Sequence, residues 1–177
     1  MAQYLGPLEL VGDRWVIGDP KRGKGSCLVL TADGMEHHER GLPQPRAVIP
    51  WARVMELWVR ASSRAWQATR TAGAVSVAAA LSGGNVNGGR SSCSVGGILR
   101  HPYEPWSVNY THHDRPYTYV HMLLVSDLFR QTSKAKAVHR LGDRQWLGAA
   151  VDQLAPTPRW TRFPTRRVSE VIDDLSI

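Results

Sequence analysis

One segment of the sequence has the residue types and spacing of a phosphate-binding loop. Residues 18–26 read GDPKRGKGS and fit the pattern G-x-x-x-x-G-K. Such a loop holds phosphate where it opens a helix, because backbone N–H groups at the helix N-terminus then face the anion. Residues 27–31, CLVLT, are instead typical of a buried strand, and Asp33-Gly34 after them is a turn dipeptide. We therefore predict a basic loop between two strands, and a small phosphate-loop nucleotide-binding enzyme is kept only as an alternative.

The same loop concentrates positive charge. Lys21, Arg22 and Lys24 lie there beside Gly23 and Gly25, whose backbone donors no side chain covers. Cations next to exposed N–H groups suit a phosphate or another anionic group. We predict that these three residues bind an anionic ligand. The alternative is a solvated hairpin tip that binds no specific ligand.

No set of residues indicates a metal site, a cofactor or catalysis. The adjacent histidine pairs at 37–38 and 112–113 cannot chelate one ion from a strand, where neighbouring side chains point to opposite faces. The two cysteines are too few for a disulfide framework, and Cys27, in an apolar strand, is expected to be unreactive. No G-x-S-x-G nucleophile motif occurs. The chain is therefore predicted to be a non-enzymatic protein without a cofactor or metal ion.

Tryptophans alternate with arginines between residues 51 and 66. Such groups can stack on bases or enter a lipid interface, but they also serve as core anchors with solvated neighbours. A period of two along residues 55–61 puts Trp58 with Glu56 and Arg60 on one face of a strand. We expect Trp51 to lie in the core, and Trp58 and Arg60 to be exposed for a partner.

The tail after Pro156 combines arginines, aromatics and an apolar stripe. Its cationic and aromatic members are predicted to bind a partner: Arg159, Trp160, Arg162 and Phe163. A helical stripe follows at i, i+3, i+4 and i+7 spacing, formed by Val168, Val171, Ile172 and Leu175. Arginines at its start and acids at its end oppose the helix dipole. This short helix is therefore expected to form only when docked, on its own domain or on a partner subunit.

Strand patterns dominate the chain before residue 125. They predict strands at residues 8–18, with a break at Gly12-Asp13, and at 26–31, 35–39, 47–49 and 55–61. A helix starting at Pro50 competes with the last of these. Residues 105–111 and 117–125 are predicted to pair as a hairpin around residues 112–116. A Gly/Ser-rich insertion occupies 67–97, and an amphipathic helix capped by Asp143 runs to Leu154.

Residues 28–59, LVLTADGMEHHERGLPQPRAVIPWARVMELWV, resemble the bacterial pleckstrin-homology-like (PH-like) domains. The resemblance rests on Leu30-Thr31 before a glycine turn, on a return strand, and on Ile49-Pro50-Trp51 before the next strand. It implies a mainly β, PH-like bent sandwich or barrel of about seven strands, closed by one C-terminal amphipathic helix. Residues 1–155 would form this domain and 156–177 a tail. The resemblance implies a binding or assembly module more often than an enzyme.

Composition and charge indicate the kinds of partner. The chain has 177 residues and is 42% hydrophobic, enough for one domain with a core. Its net charge of +7 favours an acidic partner. A protein partner or a homo-oligomer is expected first, and an anionic lipid surface is a further possibility. A nucleic-acid-associated protein is the alternative, using the tail with Lys134, Lys136, Arg140 and Arg144.

The sequence also bears on location. The N-terminal residues lack the basic and apolar regions of a signal peptide, and no apolar run reaches the length of a membrane span. A cytoplasmic location with reduced cysteines is therefore expected.

Overall fold

A computed structural model describes residues 3–23, 25–61, 93–115, 117–161 and 163–175. These residues form nine β-strands in two antiparallel sheets, together with three α-helices. The strands are β1 (Tyr4–Leu5), β2 (Leu8–Val11), β3 (Arg14–Ile17), β4 (Cys27–Leu30), β5 (Gly34–His38), β6 (Ala47–Pro50), β7 (Val54–Arg60), β8 (Ser94–Leu99) and β9 (Glu104–Asn109). The helices are α1 (Tyr119–Lys134), α2 (Arg144–Leu154) and α3 (Pro164–Asp174).

The first sheet is a meander in which each strand from β1 to β6 pairs with the next. The predicted break at Gly12-Asp13 is the turn of the β2–β3 hairpin, where Val11 pairs with Arg14. Inward-facing side chains such as Leu8, Ile17 and Leu28 are fully buried. The strands predicted at 26–31, 35–39 and 47–49 are β4, β5 and β6. The strand predicted at 8–18 is two strands, β2 and β3, and β1 was not predicted.

Gly34 belongs to the predicted turn after β4, but the structure gives a different reason for the glycine. The Thr31 backbone N–H and hydroxyl both donate to the Gly34 carbonyl and close the turn. A Cβ atom at residue 34 would lie 2.2 Å from the Ile49 carbonyl oxygen in β6. The position requires glycine because a neighbouring strand approaches its backbone, and not because the backbone is left-handed.

The second sheet has the order β7–β8–β9. Strand β7 confirms the strand interpretation of residues 55–61, and the competing helix after Pro50 is reduced to the 3-10 turn Trp51–Arg53. Strand β8 begins at Ser94, inside residues 67–97, which were predicted to be a Gly/Ser-rich insertion, and ends at Leu99, two residues beyond it. Residues 67–92 of that insertion lie outside the described residues. Val95 and Leu99 of β8 are buried, so this end of the segment belongs to the core.

Helix α1 corrects the prediction of a strand at residues 117–125. The described pairing partner of β9 is β8, and residues 119–125, which were predicted to pair with it, lie in α1. Thr118 caps α1 by accepting a hydrogen bond from the His121 N–H at 3.1 Å. Buried positions of α1 recur with helical spacing: Val120, Leu124, Val125, Leu128, Phe129 and Thr132. The run of β-forming residues was misleading, because this face packs along β7 and is buried only as a helix.

The two later helices were anticipated. Asp143 caps α2, since its carboxylate accepts from the backbone N–H groups of Gln145 and Trp146. Helix α3 begins at Pro164 and packs against α1 and α2. The tail helix was expected to dock on its own domain or on a partner subunit, and in the structure it docks on its own domain.

One hydrophobic core joins both sheets and all three helices. The expectation of a mainly β protein therefore holds in the coarser sense that antiparallel sheet dominates the first part of the chain, while helices fill the last third. The described strands belong to two separate sheets and not to one closed barrel.

Candidate functional site

The basic β3–β4 loop, residues 18–26, lies against the connector between β9 and α1. Lys21 is exposed, whereas Arg22 pairs with the Asp114 carboxylate at 2.7 Å and donates to the His112 carbonyl. Lys24 lies outside the described residues. Strand β4 starts at Cys27, so the structure contains no helix where a phosphate loop would need one. This position of β4 contradicts the phosphate-loop alternative.

The β9–α1 connector also lies over β1 and β2, where it builds a cluster of mixed charge. Arg115 pairs with Glu9 at 2.7 Å and stacks over the Tyr4 ring at 4.3 Å. His113 is buried; its Nε2 lies 3.3 Å from the Pro7 carbonyl, and its Nδ1 lies 3.5 Å from the Glu9 carboxylate. Burial, and then the nearby positive charge of Arg115, lower the pKa of His113.

A cleft of about 470 Å³ opens beside this cluster. Its lining includes the acids Glu9, Asp19 and Asp114 together with Lys21 and Arg115. Because opposite charges face each other there, the cleft has no strong preference for an anion. Sequence reasoning missed this cluster, since Glu9 and Arg115 are 106 positions apart.

Ser26 and His37 form the one pair in the described chain segments that resembles a nucleophile with its base. The Ser26 hydroxyl lies 2.9 Å from His37 Nε2 and donates to the Asn109 carbonyl at 2.7 Å. The Glu39 carboxylate lies 4.0 Å from the same Nε2, whereas a catalytic triad needs the acid on the other ring nitrogen. The pair therefore ties β4, β5 and β9 together and does not activate the hydroxyl.

The cysteines and histidines offer little other chemistry. Burial, aided by the Asp19 charge, raises the pKa of the Cys27 thiol to about 11, so the thiol stays protonated at neutral pH. Both cysteines are buried, and they form no disulfide with each other. Among the described residues, no three His, Cys, Asp or Glu side chains are grouped closely enough to hold a metal ion.

Trp58 and Arg60 were predicted to be exposed for a partner. Arg60 is exposed, but Trp58 is partly covered, and its indole lies against Gly96, its partner in the paired strand β8. A Cβ atom at residue 96 would lie 2.7 Å from the indole nitrogen. The Trp58 side chain on the outer face of the second sheet is thus less accessible than alternation alone predicted.

The apolar stripe of the tail is not free for a partner. Val168 and Val171 are fully buried in the core of their own chain, and Ile172 and Leu175 pack partly against it. Helix α3 is held further by Gln131, whose side-chain amide donates to the Thr165 carbonyl at 3.0 Å. These four apolar residues were assigned to a partner, and the structure corrects this because α1 and α2 already cover them.

The aromatic residues before α3 are exposed. Trp160 and Phe163 in the α2–α3 connector (residues 155–163) are 82% and 71% exposed. Arg159 is exposed as well and forms no ion pair with a described residue, and Arg162 lies outside the described residues. A shallow groove of about 370 Å³ runs from Pro156 and Pro158 past Phe163 to Arg166. Phe163 and Arg166 line this groove, whereas Arg159 and Trp160 are exposed beside each other in the sequence and do not line it.

The four cations assigned to nucleic-acid binding, besides those of the tail, differ in their environment. Lys134 and Lys136 are exposed at the end of α1, and Arg144 is exposed in the first turn of α2. Arg140 instead donates to the Leu175 carbonyl at 3.0 Å and covers the C-terminal end of α3. Only part of this set faces solvent.

Comparison of the chain with models of known protein families, with curated proteins and with solved structures finds no match. None of the described helices combines the length and the hydropathy needed to cross a bilayer.

Proposed function

We propose that this chain is a non-enzymatic, PH-like binding or assembly module that binds an acidic protein partner through the α2–α3 connector. The main support is the exposure of Trp160 and Phe163, with Arg159 preceding Trp160 in the sequence and Arg166 lining one groove with Phe163. Aromatic and arginine side chains are the types that contribute most to protein interfaces. In a PH-like arrangement α2 would be the closing helix, and the bond from the Trp15 indole to the Arg144 carbonyl at 3.3 Å supports that role.

The charge of this surface favours an acidic partner over a neutral one. Glu170 pairs with Arg166 at 3.1 Å and lies 3.6 Å from Arg167, so it offsets part of their charge, whereas Arg159 has no described acid beside it. The chain as a whole carries a charge of +7, which would attract an acidic partner from a distance. The β3–β4 loop could add Lys21 and Lys24 to the binding of an anion, although Arg22 is already paired with Asp114.

Binding of fluorescently labelled poly-L-glutamate to the full chain tests this proposal. We expect saturable binding that weakens with salt, and a loss of about tenfold in affinity for the variant Trp160→Ala/Phe163→Ala. Tyr103→Ala is the matched control, because Tyr103 is 72% exposed but lies in the β8–β9 turn. Its affinity should equal that of the wild type.

The same titration with phosphatidylserine vesicles and with duplex DNA distinguishes an acidic protein partner from an anionic membrane and from a nucleic acid. Tighter, connector-dependent binding to either would contradict the choice of an acidic protein. Equal losses in the connector variant and in Tyr103→Ala would contradict the connector as the site. Light scattering measures the mass of the wild type and of the connector variant. A homo-oligomer of the wild type agrees with the proposal only if the connector variant is a monomer.

A further inference from the structure

A second groove, whose lining shares no residue with the groove at the connector, carries a separate inference. We call it the bulge groove; it has a volume of about 490 Å³ and lies between the 3-10 turn Trp51–Arg53, the end of α1 and the β8–β9 turn. Its floor is apolar and buried, formed by Trp51, Val54 and Val138. We propose that the bulge groove binds a small organic anion with an apolar tail or ring, such as an alkyl or aryl carboxylate, sulfonate or phosphate monoester.

The rim of the bulge groove is cationic. Its cations are Arg100 and Lys136, His139 lies beside them, and the lining contains no Asp or Glu. None of the three side chains forms an ion pair with a described residue, unlike Arg53 nearby, which pairs with Glu104 at 2.8 Å. The Arg100 Nε donates to the Ala52 carbonyl at 2.8 Å, which fixes the guanidinium at the edge of the groove. A guanidinium held in this way presents its remaining N–H groups to an anion.

Lys136 is placed at the groove by a backbone arrangement that ordinarily favours glycine. After α1 the Lys136 N–H donates to the Ser133 carbonyl and the Ala137 N–H to the Thr132 carbonyl, which is the hydrogen-bond pattern of a Schellman C-cap. Lys136 occupies the left-handed position of this cap, with φ of 57°. A side chain there costs stability relative to glycine, whereas a positive charge suits the C-terminal end of the helix dipole. The Lys136 ammonium forms no ion pair with a described residue, and it lines the groove where an anion would bind.

Met55 supplies the apolar wall. The pairing of β7 with β8 shifts between Val54 and Glu56, so Met55 is the extra residue of a β-bulge. Bulges redirect side chains and are frequent next to binding sites. Met55 is 41% exposed and lines the groove, where alternation would have turned it toward the core with Leu57 and Val59. A flexible thioether beside a buried floor suits an apolar group of variable shape.

The floor is rigid, which favours binding. The Trp51 indole donates to the Thr31 carbonyl at 2.9 Å. A Cβ atom at Gly142 would lie 2.0 Å from that carbonyl oxygen and 2.6 Å from the indole nitrogen, so the 3-10 turn Val138–Gly142 closes tightly on the ring. The groove is therefore preformed, and its volume lies in the range of small-molecule sites.

Titration with the probe 8-anilinonaphthalene-1-sulfonate, which combines a sulfonate with aromatic rings, tests the proposal on the full chain. We expect saturable fluorescence enhancement that is weakened about tenfold by Arg100→Gln and by Lys136→Gly, since each removes one bond or contact to a charged group. Lys134→Gln is the matched control: it removes an exposed cation two residues away that does not line the groove. The Lys136→Gly variant should melt at the same or a higher temperature, so weaker binding cannot come from unfolding.

Competition identifies the ligand chemistry. Monomeric octyl phosphate should displace the probe, and inorganic phosphate at the same concentration should not. Equal displacement by both would contradict the apolar half of the proposal. Displacement only by vesicles containing phosphatidic acid would also contradict it. The protein would then bind a membrane surface and not a single small molecule in the groove.

The proposal for the bulge groove can be refuted without affecting the proposal for the connector. Unchanged probe affinity in Arg100→Gln and Lys136→Gly, or an equal loss in Lys134→Gln, would overturn the groove proposal alone. The connector variant Trp160→Ala/Phe163→Ala should leave groove binding intact, since neither residue lines the groove.

Discussion

His113 is the buried titratable side chain that fixes the β9–α1 connector to the first sheet. The Glu9 and Asp19 carboxylates lie 3.5 and 3.9 Å from its Nδ1 and favour its protonated form. Burial and the charge of Arg115 act in the opposite direction, and burial is the largest effect. The pKa of His113 is therefore lowered, and burial also lowers the pKa values of His37 and His121.

These lowered pKa values predict that the protein loses stability on acidification. In the unfolded chain a histidine takes up its proton near pH 6.5, whereas in the folded chain these three do so at lower pH. The unfolded state then binds more protons, so the free energy of unfolding falls as the pH drops below about 6.5. Urea unfolding at pH 7.5 and pH 5.5 measures this. The His113→Gln variant should show a smaller fall, and an equal or larger fall would contradict the role of His113.

Helix α3 illustrates how packing determines an element that is marginal alone. Its dipole is opposed by Arg166 and Arg167 in the first turn and by Asp173 and Asp174 at the end. Pairs one turn apart offset part of this, since Glu170 lies 3.1 Å from Arg166. Burial of two valines against α1 and α2 provides the main stabilisation.

Truncating one of these valines should destabilise the whole protein. Val171→Ala removes about two methylene equivalents from a fully buried site and should lower the free energy of unfolding by about 2 kcal/mol. Asp173→Ala, on the exposed face of the same helix, should change it by less than about 0.5 kcal/mol. Thermal or urea unfolding compares the two. Equal effects, or none from Val171→Ala, would mean that α3 does not dock as described.

At the scale of the whole molecule, the two sheets and three helices share one core. Trp15 of the first sheet, Leu57 of the second and Leu147 of α2 belong to the same buried cluster, and Val171 joins the tail to it. No described element carries a separate core. The tail after residue 155 is therefore energetically part of the fold, even though its connector faces solvent.

A shared core predicts a single unfolding transition. Tryptophan fluorescence reports on residues spread over both sheets and the connector, whereas far-ultraviolet circular dichroism reports mainly on the helices. Their midpoints in urea should coincide, because neither sheet can expose its inner face without disrupting the other. Two separate midpoints would instead show that the sheets unfold independently.

Local patterns predicted the features that depend on a few neighbouring residues. The turn dipeptide Asp33-Gly34 located the β4–β5 hairpin, and a capping aspartate located α2. Residues 8–18 were predicted to be one strand with a break at Gly12-Asp13, and the break is the turn between two paired strands. Arg159, Trp160 and Phe163 of the connector, which the sequence assigned to a partner, are exposed, and their binding role stays a prediction.

Only the tertiary structure decided the features that depend on distant residues. Residues 117–125 have strong β propensity, yet they begin a helix because burying Leu124 and Leu128 against β7 outweighs that propensity. Arg22, expected to bind a ligand, is paired with Asp114 far along the chain, and the stripe of α3 is covered by its own domain. The bulge groove combines residues from three segments around a bulge and a left-handed lysine. Local sequence determines turns and helix caps, because their hydrogen bonds join residues a few positions apart. Ion pairs and the packing of apolar faces join distant residues, so only the folded chain determines them.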